Sequence, residues 1–414
     1  MTRVSRRHFL GSLGAAGASL ALTTGTVGFG QVENDVQAAS AIVPFEGTHQ
    51  AGIDTPAQER MFTAAFDLTT DRLDDVQAML KNWTDAARRM CAGEPAGPVS
   101  GSPYLPPADT GEAIGLSPAN LTVTVGFGPG FFERDGQDRF GLKAHRPEAL
   151  IDLPAFASDE LDPEHSGGDL IVQACADDAQ VTFHAIHNLA RIARGIAVIR
   201  WSQLGFGRTS STSRTQETPR NLMGFKDGTN NIKTEDDDLM REQVWVGSSD
   251  QPAWMRGGTY MVARRIRMLI EVWDRSSLAD QEQTFGRDKV TGAPLGQSGE
   301  FTMVDLDARD AKGNLVIPER AHIRLASHTT LNGVRILRRG YSFADGMDIR
   351  TGQLDTGLVF ICFQREPAKQ FVPMQRNLAR DNLNEYIKHT GSGIYAIPPG
   401  VQPGGYWGQT LFEG

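Results

Sequence analysis

Three short stretches of the chain combine side chains that can move protons or hold charge. In Met223-Gly-Phe-Lys-Asp-Gly-Thr-Asn230, Asp227 follows Gly224 by three residues and precedes Gly228 by one. Glycines so placed let the backbone turn sharply and present a carboxylate into a cavity, although Asp-Gly also favours an ordinary surface turn. In Ala321-His-Ile-Arg-Leu-Ala-Ser327, His322 sits beside alternating apolar residues. A buried imidazole there can bind a metal or simply pack in a core. Val334-Arg-Ile-Leu-Arg-Arg-Gly-Tyr341 follows a turn at Asn332-Gly333 and interleaves cations with Ile336 and Leu337. On a strand Arg338 and Arg339 face opposite ways, so one points inward and the other meets solvent, with exposed ion pairs as the plainer alternative. Carboxylate, imidazole and guanidinium together would support proton transfer beside a fixed positive charge.

Other chemistry is disfavoured. His184 and His187 share a helix three residues apart among apolar neighbours, where packing or capping is the simpler role. Cys91, Cys175 and Cys362 are odd in number and far apart, which argues for buried thiols rather than disulfides, structural zinc or an iron–sulfur cluster. A net charge of −9 lacks the basic face that nucleic-acid binding needs.

The elements that must position these residues fall into two similar halves. In the first, Met61–Asp67 reads as a strand, and residues 71–90 place Leu73, Val76, Met79, Leu80 and Trp83 at helical spacing. Leu121–Phe127 alternates as a strand and ends at Gly128-Pro-Gly130. Asp169–Cys175 is a strand leading to Asp178, the expected N-cap of a helix over 180–194, and a strand follows over 197–203. Ser/Thr-rich residues 210–219 read as a loop or boundary. The second half repeats the pattern: a strand running into a helix over 258–273, an apolar strand at Gly357–Phe363, and a helix over 371–389. The fold class expected is α+β, with two ferredoxin-like domains of antiparallel sheets and flanking helices, at 57–220 and 221–414. Residues 39–56 read as a linker.

At the front, Ser5-Arg-Arg-His-Phe-Leu10 precedes a Gly/Ala-rich run to about Gly30, with small residues near Val36-Gln37-Ala38. Residues 1–38 therefore read as a cleavable export signal of the twin-arginine type, too weakly apolar for a bilayer span. The destination expected is the periplasm or the exterior. Export in the folded state is itself a reason to expect a cofactor inserted beforehand. No later run is apolar enough for a membrane span, so none is expected after signal removal.

Taken in order, Gly224-Phe-Lys-Asp-Gly-Thr229, Ala321-His-Ile-Arg324 and Ile336-Leu-Arg-Arg-Gly-Tyr-Ser342 resemble the dye-decolorizing peroxidase family. Trp273-Asp-Arg-Ser-Ser-Leu-Ala-Asp-Gln-Glu-Gln-Thr-Phe-Gly-Arg287, Gly357-Leu-Val-Phe-Ile-Cys-Phe-Gln364 and Tyr386-Ile-Lys-His-Thr-Gly-Ser-Gly393 add to it. With its leader the chain is similar to the exported deferrochelatase/peroxidase subgroup. The resemblance implies haem b held mainly by the C-terminal half. His322 would be the proximal iron ligand, with Asp381 accepting its other N–H. Asp227 and Arg338 would lie on the peroxide face, walled by Leu358 and Phe360. Arg338 is preferred to Arg339 because it is the first arginine after Ile-Leu. Among Arg275, Arg287 and Arg324, Arg287 is preferred as partner of a haem propionate. The implied activity is hydrogen peroxide reduction coupled to oxidation of bulky aromatic electron donors such as dyes. Alternatives are a deferrochelatase releasing iron from haem, with iron-uptake partners, and a non-catalytic haem carrier. A homo-oligomer is compatible with either.

Overall fold

The computed structural model describes residues 42–99 and 101–413, so the twin-arginine signal expected at 1–38 lies outside the described residues. Strand β1 (Arg60–Leu68) is followed by a helix, Leu73–Cys91, and by β2 (Thr122–Phe127). A small hairpin, β3 (Glu133–Arg134) and β4 (Gln137–Asp138), precedes β5 (Leu170–Ala176), a helix Ala179–Ile192 and β6 (Ala197–Arg208). The second half runs through β7 (Thr259–Met268), β8 (Leu337–Arg338), β9 (Tyr341–Asp348), β10 (Gln353–Gln364) and β11 (Ile387–Ile397).

Each half is a four-stranded ferredoxin-like sheet. The first has the order β2-β5-β1-β6 and the second β9-β10-β7-β11. The halves join edge to edge, β6 on β9 and β11 on β2, so eight antiparallel strands form a closed ring with β8 appended to β10. Closure removes the long free edges that a sheet otherwise exposes. It also explains why every residue of β2 and β5 is buried, Thr122, Thr124 and Gln173 included: one face lines the ring and the other carries helices.

Two cores result. Inside the ring, Met61, Ala65, Ile171, Met261, Phe343, Ile361 and Tyr395 pack together. Outside the first half, helix Leu73–Cys91 lays Val76, Met79, Leu80, Trp83, Ala87 and Met90 against the sheet at three- and four-residue spacing. The second helix starts as its sequence requires: the Asp178 carboxylate accepts from the N–H of Gln180 and of Val181. Among the described residues, no helix is long and apolar enough to cross a membrane.

Two expectations need correction. The stretch read as a linker is packed over its described part: Ile53 is buried inside the ring, and Gln50 Nε2 donates to the carbonyls of Val125 and Pro398 at 2.9 and 3.0 Å. Phe45 packs edge-on against Trp407 and His49 stacks on Trp245, so scattered single contacts anchor it and leave no periodic trace. The helix expected over 371–389 ends at Asn377; two 3₁₀ turns follow, and β11 begins at Ile387. Asp381 causes the break, since its carboxylate accepts from Leu383 N–H and starts a new turn.

Candidate active site

The site lies on the outer face of the second half. There Met223, Phe225, Ile266, Met268, Trp273, Phe285, Leu358, Leu383 and Ile387 form a third apolar cluster. A deep cleft opens beside it. All the residues expected from sequence line it: Asp227, Arg287, His322, Arg338, Leu358, Phe360 and Asp381.

Strand β8 decides between the two arginines. Pairing of Arg338 with Cys362 fixes the register, and strand alternation sends neighbouring side chains to opposite faces. Arg339 is fully buried and donates to the Thr55 carbonyl and Gln58 Oε1, on the side away from the cleft. Arg338 reaches the cleft, where its guanidinium donates to Asp227 Oδ1 at 2.8 Å. Its backbone is clamped: its N–H donates to Asn231 Oδ1 at 2.8 Å, and its carbonyl accepts from Asn231 Nδ2 and Ser210 Oγ.

Asp227 is held as firmly. Its N–H donates to the Pro219 carbonyl at 2.9 Å, and Asn221 Nδ2 donates to Oδ2 at 3.2 Å. The flanking Gly224 and Gly228 have φ of +85° and +88°. At Gly228 a Cβ would stand 2.8 Å from Ser210 Cα, so the turn requires glycine twice over.

Across the cleft, His322 opens a short helix, His322–Leu325. Its Nδ1 lies 2.6 Å from Asp381 Oδ2, while Asp381 Oδ1 accepts from Leu383 N–H at 2.8 Å. That second bond fixes the carboxylate, which in turn orients the ring. Burial opposes a charged imidazole, but the charge and hydrogen bond of Asp381 outweigh it and raise the His322 pKa above the ordinary value. Among the described residues Nε2 has no protein hydrogen-bond partner and remains available to a ligand in the cleft.

Arg287 reaches the cleft as well. It is buried, and its Nη1 donates to the carbonyls of Gly292 (2.6 Å) and Glu300 (3.2 Å), so it ties two loops together at the cleft wall. Of the other arginines considered, Arg324 is engaged by the carbonyls of Leu306, Ile317 and Pro318, and Arg275 is exposed. Sequence reasoning missed Asn221, Asn231 and Glu300. Glu300 pairs with Lys226 and accepts from Thr229 Oγ1 at 3.1 Å, gripping both sides of Asp227. The motif Asn221…Asp227…Asn231 was visible, but asparagines in loops are too common to single out without the partner strand.

The geometry is an imidazole braced by a carboxylate facing a carboxylate–guanidinium pair across an apolar slot. Family models for the Dyp-type peroxidase match the N-terminal part over residues 50–207 and the C-terminal part over 218–402. The chain belongs to the Dyp-type peroxidase family. It is 38% identical to a dye-decolorizing peroxidase of Thermobifida fusca, over 99% of this chain and 97% of that protein. It is also 38% identical to the deferrochelatase of Escherichia coli, over 89% and 87%. Among solved structures, a Dyp-type peroxidase of Streptomyces coelicolor superposes with a TM-score of 0.82 at 44% identity, covering 90% of this chain and 98% of that one. Ferric DtpA of Streptomyces lividans gives 0.81 at 43%, covering 90% and 98%.

As a Dyp-type peroxidase the protein is a haem enzyme using hydrogen peroxide and an electron donor. The cleft residues fit that cofactor. Ile266, Met268, Leu358, Phe360 and Phe285 would supply apolar walls for a flat macrocycle, and His322 would supply one nitrogen ligand, its Nδ1 already paired with Asp381.

Proposed function

We propose that the protein holds haem b through His322 and reduces hydrogen peroxide at the opposite face, taking electrons from bulky aromatic donors such as dyes. The observation that carries this reading is the Asp227–Arg338 pair standing across the cleft from His322–Asp381. Bound haem supplies the iron at which the peroxide O–O bond is cleaved. Asp227, hydrogen-bonded to a guanidinium, is an acceptor placed to take a proton from one peroxide oxygen and return it to the leaving one. Arg338 faces the negative charge that develops as the bond breaks, and its own charge does not titrate away. Leu358 and Phe360 restrict the space around both. Reducing one peroxide to two waters takes two electrons and two protons, so two one-electron donors react in turn. Asp381 acts through His322, making the imidazole a stronger donor to the metal.

The decisive experiment loads the purified chain with hemin. His322→Ala should lose the ferric Soret band or most of its haem retention, and Asp227→Asn should keep haem while reacting slowly with peroxide. A His322→Ala protein with an unchanged spectrum would overturn the ligand assignment.

A second reading, iron release from haem, is favoured by the equal likeness to the Escherichia coli deferrochelatase. Its test is the appearance of metal-free protoporphyrin fluorescence from haem-loaded protein under reducing conditions. A simple carrier leaves the acid–base pair without a task, and a peroxide-dependent dye assay separates it from the peroxidase. The leader Ser5-Arg-Arg-His-Phe-Leu10 supports export by the twin-arginine route to the periplasm or exterior. Replacing Arg6 and Arg7 by Lys should retain the protein in the cytoplasm of fractionated cells.

A further inference from the structure

Large apolar side chains left in water singly are ordinary on protein surfaces, but several on adjoining loops beside an active site mark a contact surface. Phe301 is 73% exposed, Met303 89% and Val290 75%. They lie on the two loops that Arg287 joins through the carbonyls of Gly292 and Glu300. The outer loop is not a loose flap. Its Glu300 side chain is bound by Lys226 and Thr229, Thr302 N–H donates to the Gly299 carbonyl, and Gln297 Nε2 donates to the Met303 carbonyl at 2.8 Å. The next residue, Val304, lines the cleft itself. A rigid segment thus runs from the two residues beside Asp227, through an exposed aromatic ring and a thioether, back into the cleft wall.

We propose that Phe301 and Met303, with Val290, form a docking rim for a planar aromatic electron donor too large to enter the cleft. The inference rests on the peroxidase reading above. Aromatic and thioether side chains suit a flat, polarizable partner. Three side chains are far too few for a stable protein interface, which needs roughly 800 Å² on each side. The exposed Arg220 guanidinium, bound to the carbonyls of Lys289 and Val290, adds positive charge at one end of the rim and favours a donor carrying an anionic substituent.

The test uses haem-loaded enzyme carrying Phe301→Ala and Met303→Ala together. Donors are a sulfonated anthraquinone dye and ferrocyanide, a small ion with no aromatic face. The expected result is a rise of about tenfold in KM for the dye with kcat little changed. Dye binding to the ferric enzyme without peroxide, followed by spectral titration, should weaken by the same factor, while ferrocyanide oxidation should stay within about twofold. Unchanged dye KM and unchanged dye binding would overturn the rim, as would an equal rise in KM for ferrocyanide. A wild-type enzyme that oxidises neither donor would overturn the peroxidase reading and the rim with it.

Discussion

Arg338 Nη1 lies 2.8 Å from Asp227 Oδ1, joining a strand to a glycine-flanked turn 111 residues away. Each backbone is pinned separately, Arg338 by Asn231 and Ser210, and Asp227 by Pro219. The pair is therefore built before any substrate arrives. Asp227→Asn keeps the shape and removes the proton acceptor. Its rate of reaction with peroxide should fall by about 10²- to 10⁴-fold with haem content unchanged, as stopped-flow absorbance would show. A normal rate would remove Asp227 from the mechanism.

Asp381 touches His322 and not the peroxide side. Asp381→Asn should retain haem yet raise its reduction potential, because a neutral amide no longer pushes charge onto the imidazole. Potentiometric titration reads this directly. A purely structural role would alter haem retention without moving the potential.

His389 lines the cleft from β11, in a pocket it shares with Arg264, Asp159 and Ser158. Burial, helped by the Arg264 charge, depresses its pKa to about 4. An unfolded chain restores the ordinary value near 6.5, so below that pH the unfolded state takes up a proton that the folded state refuses. The stabilising contribution is complete above about pH 6.5 and is lost as pH falls towards 4, amounting to about 3 kcal/mol at most. Urea denaturation from pH 7 to 4 should show a shallower decline for His389→Gln than for the wild type; parallel curves would refute this.

Gly228 combines φ of +88° with a Cβ position 2.8 Å from the Ser210 backbone. Gly228→Ala should destabilise the fold by about 1–3 kcal/mol in thermal or urea unfolding. It should also slow the peroxide reaction, since the same turn aims Asp227. Gly313→Ala serves as a control: that glycine also has positive φ, but nothing stands near its missing Cβ.

What could be read in advance follows the range of the interaction. β5 announced itself because burial on both faces leaves it apolar apart from Gln173, and Asp178 did because a helix cap is local. Ring closure left no such mark. It depends on Phe127 meeting Ala396 and on Arg208 meeting Tyr341, pairings between distant stretches of chain. The cleft residues Asp227, His322 and Arg338 were legible through family motifs, and their types suit the proposed chemistry. Choosing Arg338 over Arg339 with certainty needed the register of β8 against β10. Glu300 and Asn231 stayed hidden because a lone polar loop residue carries no period and its partner is set only by the fold. For Arg287 a motif placed the residue at the cleft, and only the fold shows that its Nη1 also braces two loops.

The eight-stranded ring also imposes an order on biosynthesis. Its last member, β11, ends at Ile397, and β2, which ends at Phe127, waits for it. While the ribosome is still at work, the first half has an unpaired border that could stick to other nascent chains. Neither a closed ring nor a finished cleft exists until β11 has been made, so whatever fills that cleft must arrive after β11 emerges rather than while the first half is being made.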